Sequence, residues 1–213
     1  MFLHDRNWNI FEYSVREYPF RPIIQLMLSR RKLEKLALPD VGVFEQKKDQ
    51  STIYHRKFYD HWGIMLPMYR KFIRKIIRPL FAEPIIYQTI PTFRVHLRNN
   101  VAVGEFHKDT DYGHSPEEIN FWLPVTEAYG SNSVQFIPHD GTTHFVSGDV
   151  HYGQFLVFNA GRLHGNLINK TPITRVSFDF RAYEKSKFVP TDKVSVSYGM
   201  KFAIGSYWTE LKE

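Results

Sequence analysis

Ile173-Thr174-Arg175-Val176-Ser177-Phe178-Asp179-Phe180 is the stretch from which the rest of the chain can be read. Successive side chains of an extended strand point to opposite faces. Arg175, Ser177 and Asp179 therefore share one face, and Val176, Phe178 and Phe180 share the other. A row of large apolar residues buries one side of a sheet, so the polar row must face a cavity or solvent. An Arg and a Ser two residues apart form a good clamp for a carboxylate, a charged and potentially bidentate fork beside a hydroxyl.

The same short, alternating pattern extends back to residue 85. Strands are expected near Ile85–Ile90, Thr92–Leu97, Val101–His107, Ile119–Leu123, Ser133–Ile137, His144–Ser147, Gln154–Asn159, Gly165–Ile168 and Ile173–Arg181. Turn-forming residues separate them at Arg98-Asn99-Asn100, Tyr129-Gly130-Ser131-Asn132, His139-Asp140-Gly141 and Asn159-Ala160-Gly161. Many short strands at regular spacing point to a sandwich or barrel. Before residue 84 the apolar spacing is helical: Ile23 to Leu28 with Leu33, Leu36 and Leu38, then a stripe at Phe58, Trp62, Met65, Met68, Tyr69, Phe72, Ile76 and Ile77. The polar segment Glu45–Ser51 links the two, and Pro67 is placed to kink the second. The expected class is α+β, mainly β. Residues 1–84 are read as an N-terminal helical segment packed on one face of the sheet, not an independent domain, and 85–213 as the β core.

The 213 residues suffice for one substantial core, and 43% hydrophobic against 23% charged content argues against disorder. Eighteen Phe and twelve Tyr favour strands. With no cysteine, disulfides and thiolate metal sites are excluded, so any metal here is held by nitrogen and oxygen. The formal charge of +6 comes largely from pieces such as Arg30-Arg31-Lys32, Arg70-Lys71 and Arg74-Lys75. These read as solvated helix faces rather than a nucleic-acid surface. Neither a signal peptide nor an apolar run of membrane-spanning length is read, and a cytoplasmic location is the expectation.

Gly104-Glu105-Phe106-His107-Lys108-Asp109 carries the sharpest chemical signal. In an extended chain His107 and Asp109 point to one side while Lys108 points away. Alone, His-x-Asp is common, and a surface turn explains it. His164 follows the apolar strand Phe155-Leu156-Val157-Phe158, however, and a second His would complete the two-His, one-carboxylate set typical of non-haem iron(II) oxygenases. Three ligands on one octahedral face leave three positions for chemistry. Among the other histidines, His114, His139, His144 and His151 read as loop or structural residues, and His55 and His61 as flanks of the helical stripe.

His107-x-Asp109, His164 and Arg175-x-Ser177 together resemble the motif set of the iron(II)/2-oxoglutarate-dependent dioxygenase superfamily. The runs Thr92–Leu97, Val101–His107, Glu118–Pro124 and Arg175–Arg181 resemble a bacterial group related to the streptomycin-biosynthesis hydroxylase. The likeness covers roughly residues 85 to 210. It implies a double-stranded β-helix (jelly roll), Fe(II) held by His107, Asp109 and His164, and 2-oxoglutarate held through its distal carboxylate by Arg175 and Ser177. The implied reaction couples O2 and oxidative decarboxylation of 2-oxoglutarate to succinate with attack on a substrate C–H bond. A cupin-like isomerase or ligand sensor shares such a fold, but has no need of the Arg175–Ser177 clamp.

Asn120 and Trp122 share a strand face; Asn120 is a candidate for the cosubstrate or for a core amide, and Trp122 for substrate or for packing. A two-residue turn at Asn99-Asn100 would set Arg94 opposite Glu105 and Thr92 opposite His107. Glu105, on the face of His107, is then a candidate partner for a small polar substrate with an amino or guanidino group, unless Arg94 neutralises it. Arg94 is carried with it as a candidate substrate residue.

Overall fold

A computed structural model describes residues 8–38, 51–102, 105–137, 145–195 and 199–212. Most of the Glu45–Ser51 linker, Val103 and Gly104 of the expected 101–107 strand, and His139 and His144 with their turn lie outside the described residues.

In chain order the elements are β1 (Asn9–Glu12), α1 (Phe20–Leu28), α2 (Ile53–Asp60), α3 (Trp62–Phe72), β2 (Ile85–Gln88), β3 (Thr92–His96), β4 (Ile119–Pro124), β5 (Gln135–Phe136), β6 (Val146–Ser147), β7 (Gln154–Asn159), β8 (His164–Gly165), β9 (Arg175–Glu184) and β10 (Trp208–Glu210). The strands form two antiparallel sheets. The larger runs β1-β7-β4-β9-β2-β10, with β3 also on β9; the smaller runs β6-β5-β8. The body is thus mainly sheet, as expected.

Strand β9 is the axis of the larger sheet. It pairs with β4 along one edge and with β2 and β3 in succession along the other. Val176, Phe178, Phe180 and Ala182 of β9 are fully buried, in one apolar layer with Phe93, Phe121, Phe155 and Val157. The helices cover that layer. In α1, Phe20, Ile24, Met27 and Leu28 recur at helical spacing and are buried. The helix stops at Ser29, whose left-handed backbone (φ 54°) turns its N–H back to the carbonyls of Gln25 and Leu26. Phe20 meets Phe178 edge-on at 5.0 Å, Phe58 of α2 stacks on Phe93 at 4.2 Å, and Tyr69 of α3 meets Phe180 at 5.2 Å. The opposite face of the larger sheet looks towards the smaller one. Between them lies a second, smaller apolar cluster of Trp122, Val134, Phe136, Leu156 and Phe158.

Three expectations change. The single stripe through residues 58–77 is broken at His61 into α2 and α3, and α3 contains Pro67 and ends in a π-helical turn at Ile73–Ile77. The N-terminal segment is not purely helical, since β1 adds an edge strand next to β7. Among the described residues the pairing expected from a hairpin at Asn99-Asn100 is not found: Arg94 lies opposite Ser177 and Thr92 opposite Asp179. The long β9 takes the ladder of β3, and the chain beyond the turn crosses towards the smaller sheet, where His107 bridges His164.

His55 illustrates how tightly the helices seal the sheet. It is buried on α2, its Nδ1 2.8 Å from Thr52 Oγ1 and its ring against Phe93. Burial, and then the Arg94 guanidinium, push its pKa down to about 3.

Two outcomes follow from this packing. Phe178→Ala should cost about 3–5 kcal/mol in chemical denaturation, because it empties the seat shared by sheet and α1. A loss below about 1 kcal/mol would mean that the helices do not seal this face. His55 stays neutral in the folded protein from pH 6.5 down to about 3, while the unfolded chain takes up a proton in that window. Its contribution is therefore complete above pH 6.5 and is lost on acidification, at up to about 1.4 kcal/mol per pH unit. His55→Gln should flatten the stability–pH curve in that interval; an unchanged slope contradicts the burial.

Candidate metal centre and cosubstrate pocket

The bridge between His107 and His164 builds the site. Each backbone N–H donates to the other's carbonyl, at 2.9 and 3.0 Å, which sets the two imidazoles side by side with centroids 4.6 Å apart. Both rings are fixed in the same way. His107 Nδ1 lies 2.9 Å from the Glu105 carbonyl, and His164 Nδ1 lies 2.8 Å from the Arg162 carbonyl. A carbonyl only accepts, so each Nδ1 carries the proton and each Nε2 keeps its lone pair for a metal. Asp109 opens a short 3-10 turn, Asp109–Tyr112, and its N–H donates to the Ala160 carbonyl at 2.9 Å. Ligand atoms of His107, Asp109 and His164 all lie within 4.8 Å of one another.

The electrostatics suit ligands. Burial opposes ionisation of Asp109, yet the Arg181 guanidinium beside it holds its carboxyl well below the usual range. Burial and the neighbouring His107 push His164 down against the pull of Asp109, so its imidazole is neutral. Metal ligands must be deprotonated in this way. Two imidazoles and a carboxylate, with no sulfur, fit a borderline or hard divalent ion such as iron(II).

These groups open onto a cleft lined by Arg94, Asn120, Trp122, Asn166, Arg175, Asp179 and Arg181 among others. Arg175, 1% exposed, donates from Nη1 to Ser177 Oγ at 2.8 Å and from Nε to the Asn132 carbonyl at 2.9 Å. Its guanidinium lies over the Trp122 ring at 5.2 Å. His96 backs it, kept neutral by burial and by Arg175 itself, which push its pKa to about 3.

The remaining candidates fall differently. The Asn120 amide donates to Asp109 Oδ2 at 2.6 Å, so in this structure it orients the carboxylate. Arg94 pairs with Asp179 at 2.8 Å, and both line the cleft. This corrects the expected Arg94–Glu105 pairing. Glu105 is exposed and does not line the cleft; its backbone carbonyl, not its carboxylate, serves the site by holding His107. His114 is bonded to the buried Glu118 at 2.7 Å. Arg181 was not singled out at all. It lies one two-residue step beyond Asp179 on the polar face of β9, and that periodicity was the available signal.

No family model matches the sequence. The chain is 41% identical over 197 residues, 92% of its length and 94% of the relative's, to the streptomycin biosynthesis protein StrG of Streptomyces griseus. Among solved structures it resembles EctD from S. alaskensis with 2-oxoglutarate and 5-hydroxyectoine, with a TM-score of 0.59, 14% identity and coverage of 93% of this chain and 76% of that one. It also resembles HygX from Streptomyces hygroscopicus with nickel and 2-oxoglutarate bound, with a TM-score of 0.51, 9% identity and coverage of 89% and 88%. At such identities the two likenesses concern the fold. The relative at 41% identity carries the assignment further: the chain belongs to the family of the streptomycin biosynthesis protein StrG.

Proposed function

We propose that this enzyme hydroxylates a small polar metabolite bearing an amino or guanidino group, in a biosynthetic step, with iron(II), 2-oxoglutarate and O2. The balanced reaction converts substrate C–H, 2-oxoglutarate and O2 to substrate C–OH, succinate and CO2. The observation that carries this reading is that one cleft holds both the His107–Asp109–His164 cluster and the buried Arg175–Ser177 pair. We read the two antiparallel sheets as the double-stranded β-helix of the iron(II)/2-oxoglutarate-dependent oxygenases, with the cleft at its mouth.

His107 Nε2, Asp109 and His164 Nε2 would hold iron, which supplies the activation of O2 when bound. The residues do the rest. Arg175, stacked on Trp122 and braced by the Asn132 carbonyl, offers Nη1 and the Ser177 hydroxyl to the distal carboxylate of 2-oxoglutarate. Trp122, Phe158 and Val134 form the apolar wall that keeps water from this charge. The carboxylate at the cleft is Asp179, in place of the exposed Glu105, and a substrate cation would share it with Arg94, which pairs with it at 2.8 Å. A cupin-like isomerase or sensor would leave the Arg175–Ser177 pair without a purpose.

His107→Ala, Asp109→Ala and His164→Ala should each weaken iron(II) binding and abolish succinate formation, because three ligands leave no redundancy. Retention of both activities by all three variants sinks the ligand assignment. Arg175→Met should raise the 2-oxoglutarate requirement roughly 30- to 4000-fold, the equivalent of about 2–5 kcal/mol for a lost charge-assisted contact to a buried carboxylate. Iron affinity should change far less, and Arg175→Lys should be intermediate. Parallel loss of iron and cosubstrate affinity contradicts the clamp. The substrate is found by screening amino- and guanidino-bearing metabolites for stimulated succinate formation under air. Asp179→Asn should then raise its KM with 2-oxoglutarate affinity retained.

A further inference from the structure

Resting on the reading of Arg175 as the cosubstrate clamp, we propose that His96 is a positioning residue that fixes the reach of Arg175 and so sets the chain length of the 2-oxo diacid the cleft accepts. The ladder of β3 and β9 places His96 directly opposite Arg175. The imidazole is fully buried, with Nε2 2.9 Å from the Asn100 carbonyl and Nδ1 3.2 Å from the Asn132 carbonyl. Nδ1 also lies 3.4 Å from Arg175 Nη2.

A neutral imidazole has one N–H and one lone pair. The shorter contact takes the proton, so Nε2 donates to the Asn100 carbonyl and Nδ1 keeps its lone pair. That lone pair and the Asn132 carbonyl then stand side by side as two buried acceptors, which repel unless a donor answers both. Arg175 answers both. Its Nε donates to the Asn132 carbonyl at 2.9 Å, and its Nη2 faces His96 Nδ1. The Nε–H and one Nη2–H project along a single edge of the planar guanidinium, so two adjacent acceptors form a cradle for that edge. The orientation that results turns Nη1 to Ser177 Oγ at 2.8 Å.

The cradle is itself held. Asn132 is fully buried, its Oδ1 accepting from the Tyr129 N–H at 2.8 Å and its Nδ2 donating to Thr171 Oγ1 at 3.0 Å. Asn169 ties the other side, donating from its backbone to the Asn100 carbonyl at 2.9 Å and from Nδ2 to the His96 carbonyl at 3.0 Å. His96 therefore blocks any retreat of the guanidinium. The His107–Asp109–His164 cluster and Arg175 would hold opposite ends of one diacid, so the separation between them selects its length. Removing the imidazole leaves a space behind Nη2 into which the long Arg175 side chain can shift.

The test is calorimetric binding of three 2-oxo acids to the Ni(II)-loaded protein and its His96 variants. The acids are 2-oxoglutarate, 2-oxoadipate, which is one methylene longer, and 2-oxovalerate, which lacks the distal carboxylate. The wild-type protein should prefer 2-oxoglutarate to both others. His96→Ala should lower 2-oxoglutarate affinity roughly tenfold, retain or improve 2-oxoadipate affinity and leave 2-oxovalerate affinity unchanged. His96→Phe, which keeps the volume without the lone pair, should lose 2-oxoglutarate affinity and still reject 2-oxoadipate; it carries the test if the alanine variant fails to fold. His96→Gln, whose Oε1 can accept from Nη2, should recover part of the loss. A purely structural role would lower the unfolding temperature while the folded, loaded variants keep the wild-type preference among the three acids. That result, or an equal loss for all three, overturns the inference and leaves the proposed function standing. A wild-type protein that binds 2-oxoglutarate no more tightly than 2-oxovalerate overturns the clamp and the inference together.

Discussion

A charged row buried on the inner face of one strand organises this protein. Along β9 the residues pointing towards the smaller sheet are Arg175, Ser177, Asp179 and Arg181, and none exceeds 7% exposure. Burying unpartnered charge is costly, so each of these positions demands a compensating group. Arg94 from β3 answers Asp179, Asp109 from the crossing segment answers Arg181, and Ser177 with the Asn132 carbonyl receives Arg175. Meeting those demands draws the crossing segment and the smaller sheet onto β9. The His107–Asp109–His164 cluster thereby comes to lie beside Arg175 and Ser177.

The outer face of the same strand does the complementary work. Phe178 and Phe180 bury themselves under the helices, so the strand cannot slip by one residue without exchanging its rings for its charges. The apolar contacts thus fix the register that the polar site requires. The site and the core are two faces of one alternation.

This explains what could be read in advance. Both faces of β9, the His107-x-Asp109 pair and the Arg175-x-Ser177 pair depend on local spacing, and local spacing is visible in a sequence; His164 joined them through the family resemblance. Pairing is not. The turn at Asn99-Asn100 suggested a hairpin by its residue types, yet β3 found a longer partner in β9, and Glu105 consequently lies outside the cleft instead of facing Arg94. The edge strand Asn9–Glu12 was missed because four residues carry too short a pattern to stand out beside the helices that follow. Asn120 was read as a candidate for the cosubstrate or for a core amide, whereas its contact with Asp109 joins positions eleven residues apart and needs the folded chain to be seen. Arg181 shows the opposite case. Its periodicity was in plain view, while its partner across space was not.

The central claim is that one cleft takes iron(II) and 2-oxoglutarate together, the first on His107, Asp109 and His164 and the second on Arg175. Anaerobic titration of the wild-type protein with 2-oxoglutarate in the presence of iron(II), followed in the visible range, tests this most directly. The account predicts a weak charge-transfer band that grows only when both components are present and saturates with equal amounts of each per chain. A protein that stays spectrally silent with both components in excess, while remaining folded, would contradict it.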